Sequence, residues 1–270
     1  MMKNITAKIF TLISIAFIAS CNRPTQNIEP CPDPARDSDA ILLSTLWLQT
    51  SDEAKIAREQ AYDMAWQKLQ KNLELYSEKV FQAGKKPAVV LDLDETVLDN
   101  SPYEARLIQK GTSFESETWS AWVNEAEAHL IAGADEFLQK ASAEGIEIFY
   151  ISNRSEANLG ATLKNMEQYN LPFTDSAHVL LKSDDSDKTA RRNKVEAQNK
   201  IILLIGDQLG DFAEVEQMKS FPADSLSNHF VLIPNPMYGS FTRISESEKE
   251  KYPGKLEAWK QKLRTQEWEP

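Results

Sequence analysis

Two kinds of hydrophobic patterning divide this chain. Short, mainly apolar runs at residues 88–91, 146–151, 178–181, 201–205 and 229–233 have the length of strands, and those at 88–91 and 201–205 are apolar at every position, as strands buried on both faces must be. Between the runs, helices are predicted near 133–144, 155–169, 187–198 and 208–219. Strand and helix alternate, so the fold class is α/β with a doubly wound, mainly parallel sheet. Ahead of the first strand, Leu43, Leu46, Trp47, Tyr62, Trp66, Leu69 and Leu73 recur at helical spacing through about 40–80, with Ser38 or Asp39 as the cap and a break at Thr50-Ser51-Asp52. Core packing accounts for Trp47 and Trp66 better than a ligand-stacking pair does. Residues 101–132 interrupt the strand–helix order with a polar helical stretch carrying Tyr103, Phe114, Trp119 and Trp122, an insertion placed as a small helical cap or lid over the first strand end. A charged amphipathic helix is predicted over 245–264.

Two of the apolar runs give way to paired carboxylates. The first delivers Asp92 and Asp94, with Thr96 two residues on; the run at 201–205 delivers Asp207 and Asp211. In an open α/β sheet the crevice beyond the carboxyl ends of the strands is where ligands bind. Four carboxylates converging there repel one another and shift their proton affinities unless a cation lies between them. Oxygen donors with no His or Cys partner suit a hard cation, Mg²⁺ in preference to zinc. Taken alone, Asp207 also reads as a helix N-cap and Asp211 as a solvated helix face. His129, His178 and His229 are scattered without metal-ligand spacing and read as structural.

The first twenty residues carry Lys3 and Lys8, an apolar run and then Ala19-Ser20-Cys21, the pattern of a secretory signal too short to span a bilayer. Ile18-Ala19-Ser20-Cys21 resembles a lipobox, which makes Cys21 the expected lipidation site; a secreted protein cut nearby is the other reading. Residues 21–37, with Pro24, Pro30, Pro32 and Pro34, read as a tether, leaving 38–270 as one domain. With Cys21 lipidated, Cys31 alone cannot form an internal disulfide. Loss of Lys3 and Lys8 leaves 28 basic against 41 acidic residues, a net charge of −13. Such a surface repels nucleic-acid polymers and is compatible with a small phosphate ester drawn in by a metal.

Order and chemistry together resemble the haloacid dehalogenase (HAD) superfamily and, within it, the class C acid phosphatases, bacterial lipoprotein nucleotidases with four aspartates. The resemblance rests on 92–100 (DLDETVLDN), Thr118-Trp119, Ile151-Ser152-Asn153-Arg154, Ser186-Asp187-Lys188, Gly206-Asp207 with Asp211-Phe212, and 234–239 (PNPMYG). It implies a Rossmann-like, HAD-type sheet and Mg²⁺-dependent hydrolysis of phosphate monoesters, nucleoside monophosphates and aryl phosphates among them. Asp92 would be the nucleophile that forms an aspartyl phosphate, and Asp94 the general acid/base. Asp92, Asp207 and the Asp94 carbonyl would bind the metal, with Asp211 acting through a water or ligand behind them. Ser152 and Lys188 would hold phosphate. Lys182, which ends the strand before it, is the competing lysine and stays open. Thr96 is expected to brace the aspartate loop through its hydroxyl. Trp119 and Tyr238, with Tyr103 behind them, would stack on the leaving group. Asn22 after the cysteine leans the anchor to the bacterial outer membrane, on its periplasmic or surface side. Self-association into a homo-oligomer stays open. A phosphotransferase on the same fold and a non-catalytic surface-binding lipoprotein are the competing functions.

Overall fold

The computed structural model describes residues 37–82, 84–213, 228–252 and 254–263. The predicted signal, Cys21 and most of the tether lie outside the described residues. No helix among the described residues is long and apolar enough to cross a membrane.

A 3-10 turn, Asp37–Ile41, leads into α1 (Leu42–Thr50) and α2 (Asp52–Gln82). They part at Ser51, whose Oγ accepts the Ala54 N–H at 3.1 Å and caps α2, at the predicted break. The sheet has the order β5-β4-β1-β6-β7, all pairs parallel, built from β1 (Lys86–Leu91), β4 (Glu147–Ser155), β5 (Val179–Lys182), β6 (Asn199–Gly206) and β7 (Phe230–Leu232). Alternation along each strand divides the core. Val89 and Leu91, Ile148 and Tyr150, Val179 and Leu181 join the large cluster under α2 and α5 (Ala134–Ala143). Ala88 and Val90, Phe149 and Ile151, and Leu180 face the other way, under Val195 of α7 (Thr189–Gln198). β1 therefore lies central and buried on both faces, and its carboxyl end has a strand on each side. The pairing of β1 with β6 shifts register between Ala88 and Val89, and the carbonyl of the skipped Ile202 is satisfied by Asn72 Nδ2 of α2 at 2.7 Å.

The insertion leaves and returns through an antiparallel pair, β2 (Leu98–Asp99) with β3 (His129–Leu130), and holds α3 (Ser101–Lys110) and α4 (Ser116–Glu125). α3 stops at Gly111, which takes the left-handed conformation with φ 62°. α6 (Leu159–Glu167) returns between β4 and β5. Trp66 packs on the main core and Trp47 on a separate cluster with Leu48, Ala54 and Met237, so the two do not form a stacking pair.

Two predicted helices differ. At the start of the one expected over 208–219 stands a 3-10 turn, Leu209–Asp211, in which the Asp211 carboxylate turns back to accept the Gln208 N–H; residues 214–227 lie outside the described residues. The one over 245–264 is divided into α8 (Glu246–Lys251) and α9 (Lys255–Lys260). Pro253 follows Tyr252, and a residue ahead of proline is pushed out of the helical region; Tyr252 is extended at φ −117°, ψ 140°.

Candidate active site

β1 remains hydrogen-bonded to β6 up to the first aspartate, whose N–H donates to Ile205 O at 2.9 Å. The chain then turns sharply, with Glu95 in the left-handed region (φ 60°) and the Val97 and Leu98 N–H groups both returning to Leu93 O at 2.8 Å. Tyr62 of α2 donates to Thr96 O at 2.7 Å, and Glu95 Oε1 accepts the Asn100 N–H at 2.7 Å. The expected Thr96 hydroxyl brace is absent: Thr96 Oγ1 is buried without a hydrogen-bond partner. Backbone bonds and the Tyr62 hydroxyl hold the loop in its place.

Asp92, Asp207 and Asp211 are buried together, each offering an oxygen within 4.8 Å of the others. Lys188, at the N-cap of α7, is 5 % exposed, and its Nζ donates to Asp92 and, at 2.6 Å, to Asp211 Oδ1. The other candidate lysine, Lys182, ends β5 and lines a neighbouring cavity instead. Gly206 makes the close approach feasible, since a Cβ there would lie 2.4 Å from the Asp211 side chain. Burial, with the Asp211 and Asp94 charges adding to it, pushes the Asp92 pKa up to about 7 against the opposing pull of Lys188. Burial also drives Asp207 well above the ordinary carboxylate range, with Asp211 and Asp92 next in effect. For Lys188 burial works against the charge, but Asp211 and Asp92 overcome it and raise the pKa, so the ammonium is retained.

The Asp94 side chain turns away from this group. Its Oδ1 accepts from Asn100 Nδ2 and Arg154 Nε, both at 2.9 Å, and its Oδ2 from Ser152 Oγ at 3.0 Å. Asn100 Oδ1 in turn accepts from Trp122 Nε1 of α4 at 2.8 Å, tying the cap to the aspartate loop. Arg191 fastens α7 to the end of β4, donating to Ser152 O at 2.6 Å and Asn153 Oδ1 at 2.7 Å. Asn100, Arg154, Arg191 and Asn235 had no role assigned from the sequence. The signal for Arg154 and Asn235 was there, a strand end and an Asn between prolines, but their partners stand 60 and 28 positions away.

A model of the HAD superfamily, subfamily IIIB (acid phosphatase), matches residues 14–241. The chain belongs to this family. A solved structure of the class C acid phosphatase from Bacillus anthracis is similar at 33% identity and a TM-score of 0.74, covering 85% of this chain and 99% of that one. A second structure of that protein, with tungstate bound, is 32% identical, also at TM-score 0.74, over 86% of this chain and 100% of its own. Acid phosphatase 1 of Solanum lycopersicum is 29% identical over 154 residues, 55% of this chain and 57% of its own length. The stem 28 kDa glycoprotein of Glycine max is 25% identical over 70% of this chain and 69% of its own.

HAD phosphatases use a divalent cation, and the aspartates here fit one. Asp207 Oδ2 accepts from Asn235 Nδ2 at 2.8 Å, whereas its Oδ1 is buried with no partner, an arrangement that costs free energy unless a cation completes it. A small divalent cation with oxygens about 2.1 Å away holds adjacent ligands roughly 3.0 Å and opposite ones roughly 4.2 Å apart, so oxygens that all lie within 4.8 Å of one another are near enough to close on one ion. Asp211, expected one layer behind, offers an oxygen to the same group.

Two cavities meet above these residues. A polar one of about 550 Å³ holds Asp92, Lys188 and Asp211; a larger one of about 820 Å³ is walled by Phe114, Trp119, Tyr238, Tyr252 and Trp259. They share Asp94, Asn153, Gln208 and Arg243, so one opens into the other. Tyr103 does not line the larger cavity. It is 3 % exposed, stands edge-on behind Trp119 at 5.1 Å and bonds Thr118 Oγ1 at 2.9 Å; the helix turns Glu104 to the cavity in its place. The histidines stand elsewhere, His129 beside the Tyr169 hydroxyl, His178 between Asp175 and Glu147, and His229 beside Tyr76.

Proposed function

We propose that this chain hydrolyses phosphate monoesters with Mg²⁺ as cofactor, through an aspartyl-phosphate intermediate, and takes nucleoside monophosphates and aryl phosphates. The observation that carries the reading is Asp92, held by Lys188 where the acidic cavity opens into the aromatic one. A phosphoryl group beside Asp92 leaves the larger cavity for the leaving group. The tungstate on the Bacillus anthracis relative is a tetrahedral oxyanion of the shape of phosphate, which supports the same use here.

An Asp92 oxygen attacks phosphorus in line as the bond from phosphorus to the leaving oxygen breaks, and Asp94 delivers the proton that the leaving oxygen takes up. Water then attacks the aspartyl phosphate, Asp94 receives a proton from it, and phosphate departs from Asp92. Lys188 takes up charge on the phosphoryl oxygens, and the Ser152 hydroxyl, whose one proton goes to Asp94 Oδ2 here, joins it by turning toward the phosphate. Arg154 and Asn100 fix the Asp94 carboxyl toward the leaving group. A divalent cation held by Asp92, Asp207 and Asp211, with the Asp94 carbonyl, would supply the positive charge that lets a carboxylate approach a phosphate dianion.

Phosphate release from nucleoside monophosphates, sugar phosphates and aryl phosphates, with and without Mg²⁺, tests the reading. Chelation should remove activity and Mg²⁺ restore it. A folded Asp92→Asn protein should lose several orders of magnitude in rate; near-wild-type turnover in it would exclude the covalent route.

We further propose that Cys21 is lipidated and anchors the chain to the outer membrane through the proline-rich tether, on the strength of the Ile18-Ala19-Ser20-Cys21 pattern. Cys21→Ser should release the protein from the membrane fraction with turnover intact, and continued retention would refute the anchor.

A further inference from the structure

The larger cavity is not uniformly apolar. Glu104 of α3 lines it at 9 % exposure, and its carboxylate has neither a hydrogen bond nor an ion pair among the described residues. Ser38 lines the same cavity, and its Oγ is buried without a partner. Neither residue borders the acidic cavity, so both face the part of a substrate that lies beyond the phosphate. A carboxyl group set among Leu107, Tyr252 and Trp259 is costly to bury unless a donor reaches it.

We propose that Glu104 is a specificity-determining residue: it accepts a hydrogen bond from a hydroxyl or N–H donor on the leaving group, so that the aromatic walls hold a flat ring while Glu104 selects for a polar one. This rests on the reading that the larger cavity receives the leaving group. A cationic leaving group is disfavoured, because Lys182, Arg243 and Lys255 line the same space. A neutral donor suits it better. Burial pushes the Glu104 pKa up to about 7, against the pull of Lys255, which keeps the group able to share a proton with a neutral partner.

The full chain decides this with three esters: a nucleoside 5′-monophosphate, its 2′,3′-dideoxy counterpart and phenyl phosphate. In Glu104→Leu, kcat/KM for the nucleotide should fall tenfold or more while that for phenyl phosphate changes by less than about twofold, since a site built to bond a donor discriminates only where the donor is present. If the dideoxy ester falls with the nucleotide, the donor is on the base; if it follows phenyl phosphate, the donor is a sugar hydroxyl. Either pattern supports the assignment. Equal losses on all three esters, or no loss on any, would overturn it. Should Glu104→Leu not fold, Glu104→Ala, which adds no bulk, is judged by the same ratios. Wild-type protein that cleaves none of the three would instead defeat the phosphatase reading.

Discussion

Arg154 holds Asp94 through two nitrogens on one oxygen, with Nε at 2.9 Å and Nη2 at 2.8 Å from Oδ1. The guanidinium is 1 % exposed at the end of β4 and also reaches Asn100 Oδ1 at 3.3 Å, so its plane is set from several sides. A side chain so placed aims the carboxyl; it does not need to touch phosphate.

Arg154→Lys keeps the charge and loses the planar fork. Turnover of a nucleoside monophosphate should drop by about tenfold to a hundredfold, mostly in kcat, because Asp94 is misaimed while phosphate binding by Lys188 is intact. A rise in KM at constant kcat would contradict a positioning role.

Lys188 is the cation that Asp92 and Asp211 share. Lys188→Met leaves three buried carboxylates facing one another and should cost about 3–5 kcal/mol of stability. Added Mg²⁺ should raise the melting temperature of the variant more than that of the wild type, and equal shifts would show that lysine and cation do not share the charge-neutralising task.

Glu104 gives a pH dependence with a definite sign. Its folded pKa of about 7 lies above the ordinary 4.5, so the folded protein holds a proton that the unfolded chain has released between those values. Its contribution is present in full below about pH 4.5 and is lost as pH rises toward 7. Glu104→Gln does not titrate, so it should gain on the wild type across that window, by at most on the order of 1.4 kcal/mol per pH unit. Melting curves recorded from pH 4 to 8 check this, and a constant difference between the two proteins would refute it.

Trp119 stands in the cavity wall with Tyr103 behind it and Phe114 beside it in the same wall, ring centroids 5.1 and 6.3 Å away. Stacking on a base is worth about 1–3 kcal/mol, so Trp119→Ala should lower kcat/KM for a nucleoside monophosphate by roughly tenfold or more and spare a small aliphatic phosphate. A parallel loss on both substrates would make Trp119 a cap-packing residue only.

The acidic strand ends were legible because a parallel strand buried on both faces must be apolar at every position. Its end is then marked where 88–91 gives way to Asp92 and 201–205 to Gly206-Asp207. The insertion and the break at Ser51 were legible for the same kind of local reason, a change of period or a capping residue. Pairings across the chain were not. Lys188 meets Asp92 from 96 positions away, and Lys182 would have served a local argument as well. Tyr103 and Glu104 differ by one position, and one step around a helix turns a side chain by about 100°, so the packing of α3 alone decides which of them enters the cavity. Where carboxylates emerge from the sheet could be read from neighbouring residues alone, since burial of a strand is written into consecutive positions. Which lysine, arginine and asparagine answer them was settled in three dimensions, because those partners are chosen by the register of the sheet and the rotation of its helices.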